Sequence, residues 1–127
     1  MKRIQKMIPA AMNIAGQKLV NHGAIDRELN GYISSFGASV ISAGLLPSII
    51  FYSQKGESSG RQKIIVCIEA ILKNHGYPAN LDLLQKVKTL FETNNSQPEI
   101  NLLTEDIYDA AIALKLAIRT FPKSAKD

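Results

Sequence analysis

The helical character of the chain is clearest in residues 104–121, TEDIYDAAIALKLAIRTF. Its apolar positions are spaced alternately by four and three residues, and they are Ile107, Ala111, Leu114, Ile118 and Phe121. That spacing places them along one stripe of an α-helix. Thr104 is a suitable N-cap, acidic residues follow it, basic residues end the segment, and Pro122 stops it. We therefore predict a helix that begins after Thr104 and ends before Pro122.

Stripes of the same kind lie on the N-terminal side of this segment. They occupy residues 4–19, 24–43, 62–74 and 81–91, with breaks rich in Gly, Pro and Asn between them, and a further apolar segment follows the break from Gly44 to Pro47. Gly44 and Gly76 stand where helix C-caps belong, and Ser59 with Gln62 has the spacing of a capping box. We predict an all-α, compact bundle of about six helices that forms a single domain over residues 1–127. The small outer residues of 24–43 favour that helix as the central one.

The composition is that of a soluble globular domain. The chain has 127 residues, of which 46% are hydrophobic and 20% charged, and this balance excludes a disordered tail or a low-complexity scaffold. Cys67 is the one cysteine, so the chain cannot form an internal disulfide. A buried thiol in a reducing compartment is typical of such a sequence, and we expect a cytoplasmic protein.

Residues 29–54 contain no charged side chain, and an uncharged stretch of this length raises the alternative of a membrane-anchored protein. Five serines interrupt residues 33–51 of this stretch, and Gly44 and Pro47 break it in the middle, so two packed helices are the preferred interpretation. The basic N-terminus followed by an apolar run faintly resembles a targeting peptide. Asn13 interrupts that run and no suitable cleavage site follows, which favours a helix of the mature domain.

The sequence has no convincing catalytic or metal-binding motif. Gly56, Ser58 and Gly60 match the spacing of a nucleophile elbow, but that motif needs a parallel sheet and a later acid and base. His22 and His75 are far apart and have no other ligand at metal-binding spacing, so each is interpreted as a helix-end residue. We expect no enzyme activity, metal or cofactor.

Glu105 and Asp109 are separated by four residues, and Asp106 lies between them. This spacing could bring two carboxylates together as an acid and base pair or as part of a metal site. All three fall in the first turns of the predicted helix, where the helix dipole stabilises acidic side chains. We therefore interpret them as dipole-stabilising residues.

Charge is distributed in blocks along the chain. The first 22 residues carry four basic residues and no acidic one, whereas residues 92–114 carry five acidic residues and no basic one. Basic residues at helical spacing or around the Gly-Ser loop are candidates for contacts to an RNA phosphate backbone. They are Lys18, Lys55, Arg61, Lys63, Lys115 and Arg119. Few aromatic residues are present and most Phe residues fall on core stripes, so base stacking is not expected.

Two stretches resemble the small, fifth subunit of the type III-B CRISPR Cmr effector complex. The first is Tyr32-x3-Phe36-Gly37-Ala38-x-Val40-x2-Ala43-Gly44-Leu45-Leu46-Pro47-x3-Phe51-Tyr52-x2-Lys55. The second, which is similar to the closing helix of that family, is Tyr108-x-Ala110-Ala111-x-Ala113-Leu114-Lys115-x3-Arg119-x-Phe121. The small subunit of the type III-A complex is a related alternative.

The resemblance implies a non-catalytic subunit that stacks in several copies along the backbone of an antiviral ribonucleoprotein. Its expected partners are other Cmr-type subunits, copies of itself, the crRNA and the target RNA. The resemblance places RNA-backbone contacts on Lys55, Lys115 and Arg119, whereas Lys18, Arg61 and Lys63 are assigned from charge alone. A helical protein–protein adaptor without a nucleic-acid role is the alternative function.

Overall fold

The helical stripes of the sequence form a bundle in the computed structural model, which describes residues 2–54, 59–93 and 97–124. Over these residues the chain has six α-helices and one small antiparallel sheet. The helices are α1 (Lys2–Lys18), α2 (Arg27–Ser42), α3 (Leu45–Ser53), α4 (Ser59–Asn74), α5 (Leu83–Glu92) and α6 (Gln97–Ile118). The prediction of a compact all-α single-domain bundle is confirmed.

Helix α6 lies at the centre of the bundle. Ten of its residues are buried, and it packs against α1, α2, α4 and α5. The sequence favours α2 as the central helix because of its small residues. Three of those residues, Ser34, Gly37 and Ala38, instead line a groove between α2 and α6, where Gly37 faces the ring of Tyr108. Small side chains therefore shape one surface of the bundle and do not mark its centre.

Helix α6 begins at Gln97, seven residues before the predicted N-cap at Thr104. The hydroxyl of Thr104 donates to the Ile100 carbonyl at 2.7 Å, within the helix, so Thr104 caps nothing. Ile100 and Leu103 are buried and extend the apolar stripe toward the N-terminus. The predicted end is confirmed, since the helix stops at Ile118, before Pro122.

A short hairpin joins α1 to α2 and has no counterpart in the sequence-based prediction. Strands β1 (Val20–Asn21) and β2 (Ala24–Ile25) pair antiparallel across His22 and Gly23. Both turn residues have positive φ, of 56° and 80°, which is the backbone of a two-residue turn that matches strand twist. His22 therefore lies in a hairpin turn and not at a helix end.

Residues 29–54 form two helices, as the sequence predicts, with the break at Gly44. Gly44 has φ 100° and ψ 167°, so it is a positive-φ residue that precedes α3 and not a left-handed cap of α2. Within the described ranges, none of the helices is both long and apolar enough to cross a membrane. Gly76, with φ 104°, ends α4, and the Tyr77 amide donates to the Leu72 carbonyl as in a Schellman motif.

Side chains from other helices contact the first turns of α5 and α4. The Leu83 amide at the start of α5 donates to the carboxylate of Glu69 on α4 at 2.8 Å. At the start of α4, a methyl group added at Gly60 would lie 2.5 Å from the ring of Tyr32. That close approach explains Gly60 by packing. Gly56, Ser58 and the side chain of Ser59, which complete the elbow and capping-box patterns, lie outside the described residues.

Candidate nucleic-acid interface

Helix directions decide which of the predicted basic residues lie together. Arg3, at the start of α1, pairs with Asp106 of α6, whereas Gly16, near the end of α1, faces the ring of Phe121 beyond α6. Helices α1 and α6 therefore run in the same direction. Their C-terminal ends, which carry Lys18 and Arg119, lie at the same end of the bundle.

Helix α4 runs in the opposite direction to α1. Its last turns border the start of α1, because Leu72 and Met7 line one cavity. Its first turns therefore lie toward the end of α1. The Cys67 thiol, in the middle of α4, agrees with this direction, because burial raises its pKa to about 12 and the charges of Lys18 and Lys63 oppose that rise. Lys63 therefore lies at the same end of the bundle as Lys18.

The hairpin and the C-terminal segment also meet at this end. The Ile25 amide donates to the Pro122 carbonyl at 2.9 Å, and the Ser124 amide donates to the Ile25 carbonyl at 2.9 Å. These bonds hold Lys123 beside the hairpin, in a bridge to Ile25. We call Lys18, Arg61, Lys63, Arg119 and Lys123 the basic end.

The residues of the basic end differ in how freely they reach solvent. Lys18, Lys63, Arg119 and Lys123 are exposed, whereas Arg61 is half-buried. Among the described residues, Asp26 and Glu28 at the start of α2 also lie at this end, and the five residues of the basic end outnumber them. The C-termini of α1 and α6 carry partial negative charge, which basic residues in or beyond their last turns offset. Outward-facing cations on fixed helices are suited to bind phosphates without reading bases.

The other predicted residues fall outside this group. Lys115 is half-buried one turn before Arg119, where it lines the groove between α2 and α6, a space of about 240 Å³. Its neighbours in the groove are mainly apolar, and Ile41 among them exposes 69% of its surface. Lys55 lies outside the described residues. The structure thus places Lys18, Arg61, Lys63 and Arg119 at one end of the bundle, with Lys115 one turn before Arg119 in the groove between α2 and α6.

Arg61 takes part in a stack that the sequence does not reveal. Its guanidinium carbon lies 5.1 Å from the ring centroid of Tyr32 and 4.8 Å from that of Phe51. Phe51 exposes 51% of its surface and Phe91 exposes 40%, so the prediction that most Phe residues lie in the core is wrong. The apolar stripe of residues 81–91 likewise buries Leu83 and Val87 and leaves Phe91 outside.

A second polar cluster lies at the opposite end, around Asp106. This carboxylate is 7% exposed, and it accepts hydrogen bonds from the guanidinium of Arg3 and the hydroxyl of Tyr77. The Nε atom of Arg3 also lies 3.4 Å from Oδ2 of Asp109. Lys6 and His75 help to line the cavity beside it, of about 270 Å³. The interpretation of Asp106 and Asp109 as first-turn, dipole-stabilising residues is therefore wrong.

The cluster keeps protons on its donors. The hydrogen bond to Asp106 raises the pKa of Arg3, against an opposing effect of burial. Burial, followed by the hydrogen bond to Asp106, raises the pKa of Tyr77. A phenol and a guanidinium that hold their protons are donors to a fixed carboxylate. The cluster therefore ties α1 and the segment after α4 to α6.

The remaining candidates for chemistry offer no reactive group. Cys67 is fully buried, and its raised pKa keeps the thiol protonated at neutral pH. Across residues 2–54, 59–93 and 97–124, no three His, Cys, Asp or Glu side chains gather where they could hold a metal ion. Comparisons with protein-family models, curated proteins and solved structures give no match for this chain.

Proposed function

We propose that the chain is a non-catalytic, RNA-backbone-binding small subunit of a type III-B CRISPR Cmr effector complex. The sequence resemblance points to the effector complex, and the basic end supports the RNA-backbone role, because α1, α4 and the segment after α6 each bring to it a cation that the sequence had singled out.

The basic end is suited to a phosphate backbone for two physical reasons. Its cations come from α1, α4 and the segment after α6, whose packing is fixed by the core, so their backbone positions are set before RNA binds. Exposed lysines that neutralise phosphates release counterions, and the resulting affinity depends on charge and salt but not on base sequence. In the proposed complex the partners are other effector subunits, copies of this chain, the crRNA and its target RNA.

The proposal is tested in an effector complex reconstituted with and without this subunit. Lys63→Glu and Arg119→Glu together should weaken binding of target RNA by the complex, because both cations point outward at the basic end. Lys86→Glu and Lys88→Glu, on exposed positions of α5, reverse the same charge elsewhere and should leave binding unchanged. Equal binding by wild type and by both double variants would contradict the proposal.

A helical protein–protein adaptor is the second candidate, because the surface exposes large apolar side chains. Ile41 and Leu102 expose 69% and 56% of their surfaces, and Ile41 borders the groove between α2 and α6. An adaptor would change assembly without changing affinity for RNA. A mobility shift of target RNA by the complex, with and without the subunit, separates the two functions: only an RNA-binding subunit increases affinity at a constant amount of assembled complex.

A further inference from the structure

Helices α2, α3 and α4 together hold an aromatic and cationic stack at the surface. The guanidinium carbon of Arg61, on α4, lies 5.1 Å from the ring centroid of Tyr32 and 4.8 Å from that of Phe51. Phe51, near the end of α3, keeps half of its surface exposed. A half-exposed Phe beside a guanidinium is unusual in a core-forming role, because burial of the ring would stabilise the fold more.

The stack is held in place by contacts beneath it. The backbone of Gly60 approaches the ring of Tyr32 so closely that a methyl group there would lie 2.5 Å away. The hydroxyl of Tyr52 donates to the Tyr32 carbonyl at 2.9 Å, and the ring of Tyr52 meets that of Phe51 edge-on, at 5.7 Å between centroids. Phe51 and Arg61 are therefore positioned before any ligand binds, which lowers the entropy that binding costs.

We propose that Phe51 and Arg61 bind an unpaired nucleobase of an RNA strand whose phosphates lie on the basic end. The proposal rests on the proposed RNA-binding function and adds a contact that involves the base. Aromatic rings and guanidinium planes stack on the faces of all four bases. Arg61 and Lys63, at the start of α4, supply the positive charge that the adjoining phosphates require. An apolar protein segment would match Phe51 but not these cations.

The consequence is a preference for single-stranded RNA that does not depend on its sequence. Phosphate contacts at the basic end accept any strand, paired or not. The stack accepts only a base that has left its duplex or was never paired. We infer that the subunit binds an unpaired nucleotide beside the duplex, such as one at the end of a guide–target helix or one that is splayed out of it.

The chain contains no Trp, so Phe51→Trp introduces a single indole fluorophore at the stack. The probes are a single-stranded oligouridylate and an abasic ribose-phosphate oligomer of the same length and charge. A base stacked on the introduced indole should quench the emission of the Phe51→Trp variant, whereas the abasic oligomer should bind without quenching. Phe51→Leu should weaken oligouridylate binding about 5- to 150-fold and leave the abasic oligomer unaffected. Phe51→Tyr keeps an aromatic ring and should bind oligouridylate about as tightly as the wild type.

The matched control is Phe91→Leu, which removes another exposed ring, on α5, and should change neither affinity. The stacking site would be overturned if Phe51→Leu bound each oligomer as tightly as the wild type and oligouridylate did not quench Phe51→Trp. That result would leave the phosphate contacts in place. Failure of both oligomers to bind in low salt would overturn the proposed function and the stacking site together.

Discussion

Asp106→Asn tests whether the buried carboxylate at the end opposite the basic end stabilises the fold. Asp106 accepts from Tyr77 and Arg3, and it is 7% exposed. A hydrogen bond to a charged group contributes about 1.5–3 kcal/mol. The bond from Tyr77 falls in this range, but the bond from Arg3 contributes about 0–1 kcal/mol, because the Arg3 side chain is 43% exposed and screened by water.

Replacement by Asn keeps the shape of the side chain and one acceptor but removes the charge. We therefore expect the free energy of unfolding to fall by about 1–3 kcal/mol, most of it from the weaker bond to Tyr77. For a domain of this length that decrease lowers the melting temperature by about 4–11 °C. Urea denaturation and thermal melting followed by circular dichroism measure both quantities.

Glu105→Gln is the matched control, because Glu105 is the exposed neighbour of Asp106 on α6. It should change stability by less than about 0.5 kcal/mol. A double-mutant cycle between Asp106→Asn and Tyr77→Phe should give a larger coupling energy than a cycle with Arg3→Gln. The reasoning is refuted if Asp106→Asn is as stable as Glu105→Gln, or if the coupling to Arg3 is the larger of the two.

Three further perturbations test the packing and electrostatics of the bundle. Gly60→Ala should destabilise the protein by about 1–2 kcal/mol, because its methyl group would lie 2.5 Å from the Tyr32 ring. Gly31→Ala should stabilise the protein by about 0.5–1 kcal/mol, because a methyl group there would have nothing within 4 Å. Urea denaturation of both variants checks these opposite signs, and equal effects would contradict them. Burial raises the pKa of Glu69 above 4.5, and the hydrogen bond from Leu83 partly opposes this rise. The native state therefore binds more protons than the unfolded state. The free energy of unfolding should decline as the pH rises from 4.5 through the raised pKa. Glu69→Gln should remove this part of the pH dependence, measured by denaturation between about pH 4 and 7, while Glu92→Gln, at an exposed position, should retain it. Cys67 should react with a thiol reagent only as fast as α4 opens, since it is fully buried and its pKa is about 12; rapid labelling of the native protein would contradict this.

The helices could be predicted from the sequence because each one buries a periodic stripe of apolar residues. It failed at the start of α6, where the first turns carry polar residues among Ile100 and Leu103, and Thr104 offers a capping pattern that the helix does not use. Local patterns could not identify Asp106 as buried, because its partner Arg3 is 103 residues away in the chain. That pairing depends on the parallel packing of α1 and α6.

The candidate interface was predictable in composition but not in arrangement. Lys18, Lys63 and Arg119 could be chosen from the sequence as cations on helical segments. They share one end of the bundle because α1 and α6 run parallel while α4 runs in the opposite direction. The stack of Arg61 on Tyr32 and Phe51 joins three helices and has no local sequence signal. A regular apolar spacing also could not show that Phe51 and Phe91 lie outside the core.

The most direct test of the RNA-backbone role is the salt dependence of binding to two RNA duplexes of unrelated sequence. The proposed function predicts equal affinity for both sequences and a linear fall of log affinity with log salt. Replacing Lys63 and Arg119 by Gln should reduce the magnitude of that slope by about 1 for each phosphate that is no longer neutralised, and Lys86→Gln with Lys88→Gln should not change it. An unchanged slope in the Lys63 and Arg119 variant, or a strong preference for one sequence, would contradict binding of the RNA backbone at the basic end.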